Sequence, residues 1–296
     1  MVEDPYRPVR EPLLRSLRLR GLEHALTEWP GREGAEPMIL LHGFADAGTT
    51  FQFLVDELDA DHHLLALDWR GFGRSQWPVD GYWFPDYYAD LEAFLDAVLP
   101  DRPATLIGHS MGANIALSYA GLRPARVARV VALEGFGLPR TEAGQAAERL
   151  VHWLDQVKEG QSVAEFPSLE AFATLLVRRN PRLGSSRAAF VARCWATADA
   201  AGRVRARFDP AHKRVNPVLY RREEAEVTWR RIRAPVLYVL GAQSDFLPRL
   251  GEDASPARMA ELITGLRGCM IADAGHMLHH EQPQAVAAAI EDFLRG

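Results

Sequence analysis

Apolar residues in this chain come in short solid runs, and between the runs they recur at helical spacing. Residues 38–41, 63–67, 104–107, 127–133 and 235–240 are such runs, which predicts strands buried on both faces. Residues 16–19 and 23–29 alternate instead, predicting an antiparallel pair that turns at Gly21. Helical spacing marks 50–58, 86–98 (stopped by Pro100) and 113–120; a last strand at 269–272 and a last helix at 284–294 close the chain. Strands alternating with helices predict an α/β fold: a mostly parallel eight-stranded sheet covered by helices on both faces.

The rhythm breaks after Pro139. From there to about Arg222 the patterns are helical, at 141–159, 168–179 and 186–198, with Ser168 as the N-cap of the second and no strand pattern among them. The expected organisation is a core made of residues 1–137 and 223–296, with residues 138–222 inserted as a helical cap above the strand ends.

Composition narrows the class. The 296 residues are 48% hydrophobic and 25% charged, ample for a sizeable core. A net charge of -5 argues against bulk nucleic-acid binding. Cys194 and Cys269 lie far apart with no metal-ligand spacing, as suits a reducing compartment. Residues 1–20 mix charges and prolines and lack the apolar stretch of a signal peptide, and no run is long enough to span a bilayer. The expectation is a cytoplasmic protein acting on a small molecule, without nucleic acid or membrane as partner; the oligomeric state stays open. Charge is unevenly spread. Between Arg178 and Arg233 there are fifteen basic residues and five acidic ones. That segment either pairs with an acidic core surface or attracts an anionic substrate.

The chemistry centres on Gly108-His109-Ser110-Met111-Gly112, which lies between a predicted strand and a predicted helix. That order places a serine at the apex of a sharp turn, its hydroxyl exposed above the sheet and a helix N-terminus behind it. A nucleophilic serine needs a base, and the base needs an orienting carboxylate. His276 falls in the loop after the last strand, where it can reach back to Ser110; its neighbours His279 and His280 read as surface loop residues. Two carboxylates compete for the acid. Asp245 follows the strand at 235–240 and is the favoured choice; Glu134, at the end of the strand before, is the alternative. Both stand at carboxyl ends of strands, where such sites are built. The oxyanion would be held by the backbone N–H groups of Met111 and Phe44. His42 and His109 lack a third regularly spaced ligand, so no metal is expected. Aromatic residues such as Phe136 and Trp195 serve either an acyl pocket or packing, and the sequence does not separate the two.

These pieces, together with His42-Gly43-Phe44, Asp68-Trp69-Arg70-Gly71-Phe72-Gly73-Arg74-Ser75, Gly241 to Asp245 and Gly275-His276 followed by Glu281 and Pro283, resemble the α/β-hydrolase superfamily over nearly the whole chain. The resemblance implies Ser110 as nucleophile, His276 as base, Asp245 as acid and a helical cap between the sixth and seventh core strands. Haloalkane dehalogenases and epoxide hydrolases of this fold carry Asp at the nucleophile, whereas this chain carries Ser110 and so looks like an esterase-type member. Some dehalogenases place their acid after the sixth strand, which keeps Glu134 in play. The segment from Phe208 to Arg221 resembles serine hydrolase-like members. The expected reaction is acyl transfer to water without a cofactor, on a carboxylic ester or with the same triad on a thioester or carbon–carbon bond. A ligand-binding protein reusing the fold is the rival.

Overall fold

The computed structural model describes residues 4–199 and 202–296. Strands β1 (Leu13–Leu19) and β2 (Leu22–Trp29) form the antiparallel pair, turning at Arg20 and Gly21, both at positive φ. Strands β3 (Pro37–Leu41), β4 (His63–Leu67), β5 (Ala104–His109) and β6 (Val127–Leu133) pair in parallel. After an insertion containing the short strands β7 (Glu165–Phe166), β8 (Ala196–Ala198) and β9 (Val204–Ala206), the sheet resumes with β10 (Val236–Gly241) and β11 (Arg267–Ile271). The eight-stranded sheet runs β1-β2-β4-β3-β5-β6-β10-β11.

Successive side chains of a strand point to opposite faces, and here both faces are buried. Leu106, Val130, Ala132, Tyr238 and Leu240 join one apolar layer, under helices Pro85–Val98 and Met111–Leu122. Their neighbours Ile107, Val131, Leu133, Leu237 and Val239 join the other, under helix Pro283–Arg295. Burial on both sides is why these strands read as solid apolar runs.

Two expectations change. The insertion is not wholly helical: β7, β9 and β8 make a small antiparallel sheet beside helices Ala146–Glu159, Leu169–Arg179 and Gly184–Trp195. Strands of two or three residues are too short to show alternation, so tertiary pairing and not local pattern creates them. The helix expected at 50–58 is also shorter, a 3-10 turn Gly48–Phe51 running into Gln52–Val55. Ser168 does cap its helix, its hydroxyl accepting from Ala171 N–H at 3.1 Å. Among the described residues no helix is long and apolar enough to cross a membrane.

Candidate active site

Ser110 sits between β5 and helix Met111–Leu122 with φ 51° and ψ -113°, a conformation an L-residue holds only when its surroundings impose it. They do so here. A Cβ on Gly112 would lie 2.0 Å from the carbonyl oxygen of Leu41, and one on Gly108 would lie 2.6 Å from Ala113 Cα. Only glycine lets strand, turn and helix close to this distance. Ser110 N–H donates to Leu133 C=O at 2.8 Å and Ser110 C=O accepts from Asn114 N–H at 3.0 Å, fixing the turn at both ends.

The hydroxyl meets an imidazole. His276 Nε2 lies 3.0 Å from Ser110 Oγ, and His276 Nδ1 lies 3.0 Å from Glu134 Oε2. With the Nδ1 proton donated to Glu134, Nε2 is left to accept the proton of the serine. Glu134 is fully buried, and Gly241 N–H donates to its Oε1 at 2.7 Å while the Ser244 hydroxyl donates to Oε2. Its φ of 56° is a second strained backbone position, held by these contacts.

The structure therefore does not bring the favoured acid to the base. Asp245 is exposed, and no described hydrogen bond joins it to His276. The loop after β10 instead turns inward one residue earlier, so that Ser244, not Asp245, reaches the site, and it reaches Glu134. Sequence order could not settle a difference of one residue in a turn.

The base loop is tied down from behind. Gly275 N–H donates to Glu281 Oε2 at 2.6 Å, and Asn180 Nδ2 donates to Glu281 Oε1 at 2.8 Å, linking the loop to the insertion. His109 Nε2 donates to the His276 carbonyl at 2.8 Å. Beside the imidazole, Phe246 packs with its ring centroid 4.3 Å from His276, and Phe136 stacks on Phe246 at 5.8 Å.

The loop after β3 brings Gly43 and Phe44 to the serine. A Cβ on Gly43 would lie 3.3 Å from Ser110 Cβ and 2.8 Å from His109 Nδ1, so the backbone can pass here only without one. His42 anchors this loop: its Nδ1 donates to Gly43 C=O at 2.8 Å and its Nε2 accepts from Trp69 N–H at 2.9 Å, which fixes a neutral tautomer. Asp68 holds the far side of the loop, accepting from Gly48 N–H at 2.6 Å and Arg74 N–H at 3.0 Å. The motif from Asp68 to Ser75 is thus scaffolding. The backbone N–H groups of Met111 and Phe44 donate to no described residue.

The end of the insertion straps onto this loop. Phe208 pairs with Phe72 in an isolated bridge, and the Phe208 and Phe44 rings lie 5.4 Å apart. His212 stacks on Phe72 at 3.9 Å and on Tyr82 at 3.4 Å, and burial pushes its imidazole down to about 3. His279 and His280, expected at the surface, are buried at 0% and 1% exposure. Sequence reasoning gave no role to Ser244 or to Glu281, which it quoted only as a motif residue, and did not find the anchoring role of His42. Only Glu281 left a signal, its spacing behind Gly275-His276.

Comparison with known proteins identifies the fold family. The chain matches the family described as alpha/beta hydrolase fold over residues 36–283. It is 28% identical over 273 residues to a serine hydrolase-like protein of Danio rerio, covering 90% of this chain and 83% of that one. It is 28% identical over 302 residues to epoxide hydrolase A of Mycobacterium tuberculosis (strain ATCC 25618 / H37Rv), covering 90% and 92%. Its structure is similar to the solved thioesterase domain from the curacin biosynthetic pathway, with a TM-score of 0.82 at 24% identity over 95% of this chain and 99% of that one.

Proposed function

The chain belongs to the alpha/beta hydrolase family and is a hydrolase by that membership, and from this premise we propose that it is a serine hydrolase cleaving a carboxylic ester, or a related acyl compound, through an acyl-enzyme on Ser110. One observation carries the reading: the unbroken contact from Ser110 Oγ through His276 to Glu134, at 3.0 Å for each step. An epoxide hydrolase of this fold needs an aspartate as nucleophile, and this chain has serine there.

In the proposed reaction His276 Nε2 takes the Ser110 proton as Oγ attacks the carbonyl carbon. The tetrahedral oxyanion is held by Met111 and Phe44 N–H groups, and Glu134 stabilises the imidazolium. His276 then gives its proton to the departing alkoxide oxygen as the carbon–oxygen bond breaks. Water, deprotonated by His276, attacks the acyl-enzyme, and Ser110 leaves with the proton. The chemistry calls for no cofactor. Residues 138–222 act as the cap over the site, held down by the Asn180 and Phe208 contacts.

A substrate bearing an acid group is a second reading, favoured by one observation. Arg179 and the half-buried Arg207 line a cavity of about 170 Å³ that reaches the oxyanion loop at Ala45, and no carboxylate among the described residues forms an ion pair with Arg207. Arg207→Met is expected to raise KM for a carboxylated ester about tenfold while leaving neutral esters unchanged.

The test of the main reading is a panel of p-nitrophenyl esters of increasing acyl length set beside acyl-CoA thioesters. Turnover of at least one ester, abolished by Ser110→Ala, is expected. Turnover of thioesters alone would replace the ester reading with a thioesterase one, and no serine-dependent turnover of either would overturn both.

A further inference from the structure

Behind the oxyanion loop and the base loop lies a second cluster of polar side chains that the hydrolytic chemistry does not use. Asp46, His279 and His280 are 3%, 0% and 1% exposed, and each presents a ligand atom within 4.8 Å of the others. Asp46 comes from the loop after β3; the two histidines come from the short helix Leu278–Glu281. No sequence spacing relates them.

The hydrogen bonding within the cluster is lopsided. Asp46 Oδ1 accepts from Ala47 N–H at 2.8 Å, from the Thr50 hydroxyl at 2.6 Å and from Trp195 Nε1–H at 2.7 Å. Asp46 Oδ2 accepts from no described residue, and His279 Nε2, 4.0 Å away, is beyond hydrogen-bond reach. Both ring nitrogens of His279 and Nε2 of His280 also lack a partner among the described residues. A buried carboxylate with one bare oxygen needs positive charge, and each unmet polar atom costs about 1–3 kcal/mol. In each ring an unmatched nitrogen can offer its lone pair.

We propose that Asp46, His279 and His280 bind one divalent transition-metal ion of the imidazole-preferring class, such as Zn²⁺ or Co²⁺, independently of the acyl chemistry. Two imidazoles and a carboxylate are a ligand set such ions take, with water completing the shell. Tetrahedral ligands at about 2.1 Å from zinc stand about 3.4 Å apart, so the cluster closes by roughly an ångström on binding. The Trp195 and Thr50 contacts orient the carboxylate from behind, as outer partners of metal ligands do. Asp46 and Trp195 both line the cavity of about 170 Å³ beneath the insertion, which gives the ion a route in.

The position defines what binding does. Asp46 stands two residues beyond Phe44, and His279 three beyond His276. The His279 ring lies 4.3 Å from that of His109, which lies 4.9 Å from that of His276. The ion clips the oxyanion loop to the base loop and stabilises the folded protein by mass action.

Zinc-soaked crystals of the full chain, with diffraction recorded on both sides of the zinc absorption edge, test this directly. The expected result is an anomalous peak within bonding distance of Asp46, His279 and His280. Ordered water alone at that place overturns the proposal. In solution, chelator-stripped protein is expected to bind one equivalent of Co²⁺ and to melt several degrees higher with it. His280→Gln and Asp46→Asn, with fold checked by circular dichroism, are expected to weaken binding at least about 100-fold. Binding that survives both substitutions also overturns the proposal. If neither variant folds, the anomalous map of the unsubstituted protein decides.

Discussion

Replacing Glu134 by glutamine changes one oxygen to an amide nitrogen and tests which carboxylate orients the base. The native side chain accepts three hydrogen bonds: from His276 Nδ1–H at 3.0 Å, from Gly241 N–H at 2.7 Å and from the Ser244 hydroxyl. Glutamine can keep Gly241 satisfied through its oxygen, but its NH₂ then faces His276. Two donors cannot pair, so the imidazole moves its proton to Nε2, the nitrogen that must receive the serine proton. Loss of the carboxylate also removes the charge that stabilises the imidazolium. In a serine triad the same change lowers kcat by about 10⁴, or ~5 kcal/mol of transition-state stabilisation. For Glu134→Gln the expectation is therefore a 10³–10⁴-fold fall in kcat, with KM within a few-fold and the melting temperature little changed, since the amide is isosteric. Asp245→Asn, on an exposed side chain, should stay within about threefold of the native rate. Steady-state hydrolysis of the best p-nitrophenyl ester measures both. The reverse pattern, with Asp245→Asn inactive and Glu134→Gln near native, would refute the assignment of Glu134.

Three further outcomes follow from the geometry. Ser244→Ala removes one donor from Glu134 and should lower kcat about tenfold at constant KM, because hydrogen bonds to charged groups are worth ~1.5–3 kcal/mol and Gly241 N–H remains; an unchanged kcat would show that Gly241 suffices. Gly112→Ala places a methyl group 2.0 Å from Leu41 O and should leave little soluble folded protein, as judged by expression and circular dichroism. His212 is held neutral by burial, about 3 against an ordinary 6.5, so the unfolded chain binds its proton first as pH falls. Its contribution to stability is intact above pH 6.5 and is lost as pH drops toward 3, by about 3 kcal/mol between pH 7 and pH 4. Urea denaturation at the two pH values should show that loss in the native protein and a smaller one in His212→Phe.

Much of this was legible in the residues, for physical reasons. Strands buried on both faces must be solid apolar runs, so β3 to β6 and β10 announced themselves, and Gly108 and Gly112 marked a turn too tight for any Cβ. Ser110 and His276 could be paired because a hydroxyl at the carboxyl end of a central strand needs a base arriving from another loop. The acid was harder. Glu134 and Asp245 both follow strands, and which one faces the imidazole depends on the path of a turn that seats Ser244 inward and Asp245 outward. Strands β7 to β9 were hidden because two or three residues carry no period. The burial of His279 and His280 was hidden because a turn of helix does not reveal which packed surface will cover it.

Every step of the proposed reaction requires Ser110 to be an activated nucleophile. Labelling the full chain with a fluorophosphonate probe and locating the adduct by mass spectrometry measures this without knowing the substrate. One adduct is expected, on Ser110, that disappears in Ser110→Ala and forms far more slowly in Glu134→Gln. An unlabelled protein, or an adduct on a different serine, would contradict the nucleophilic role of Ser110.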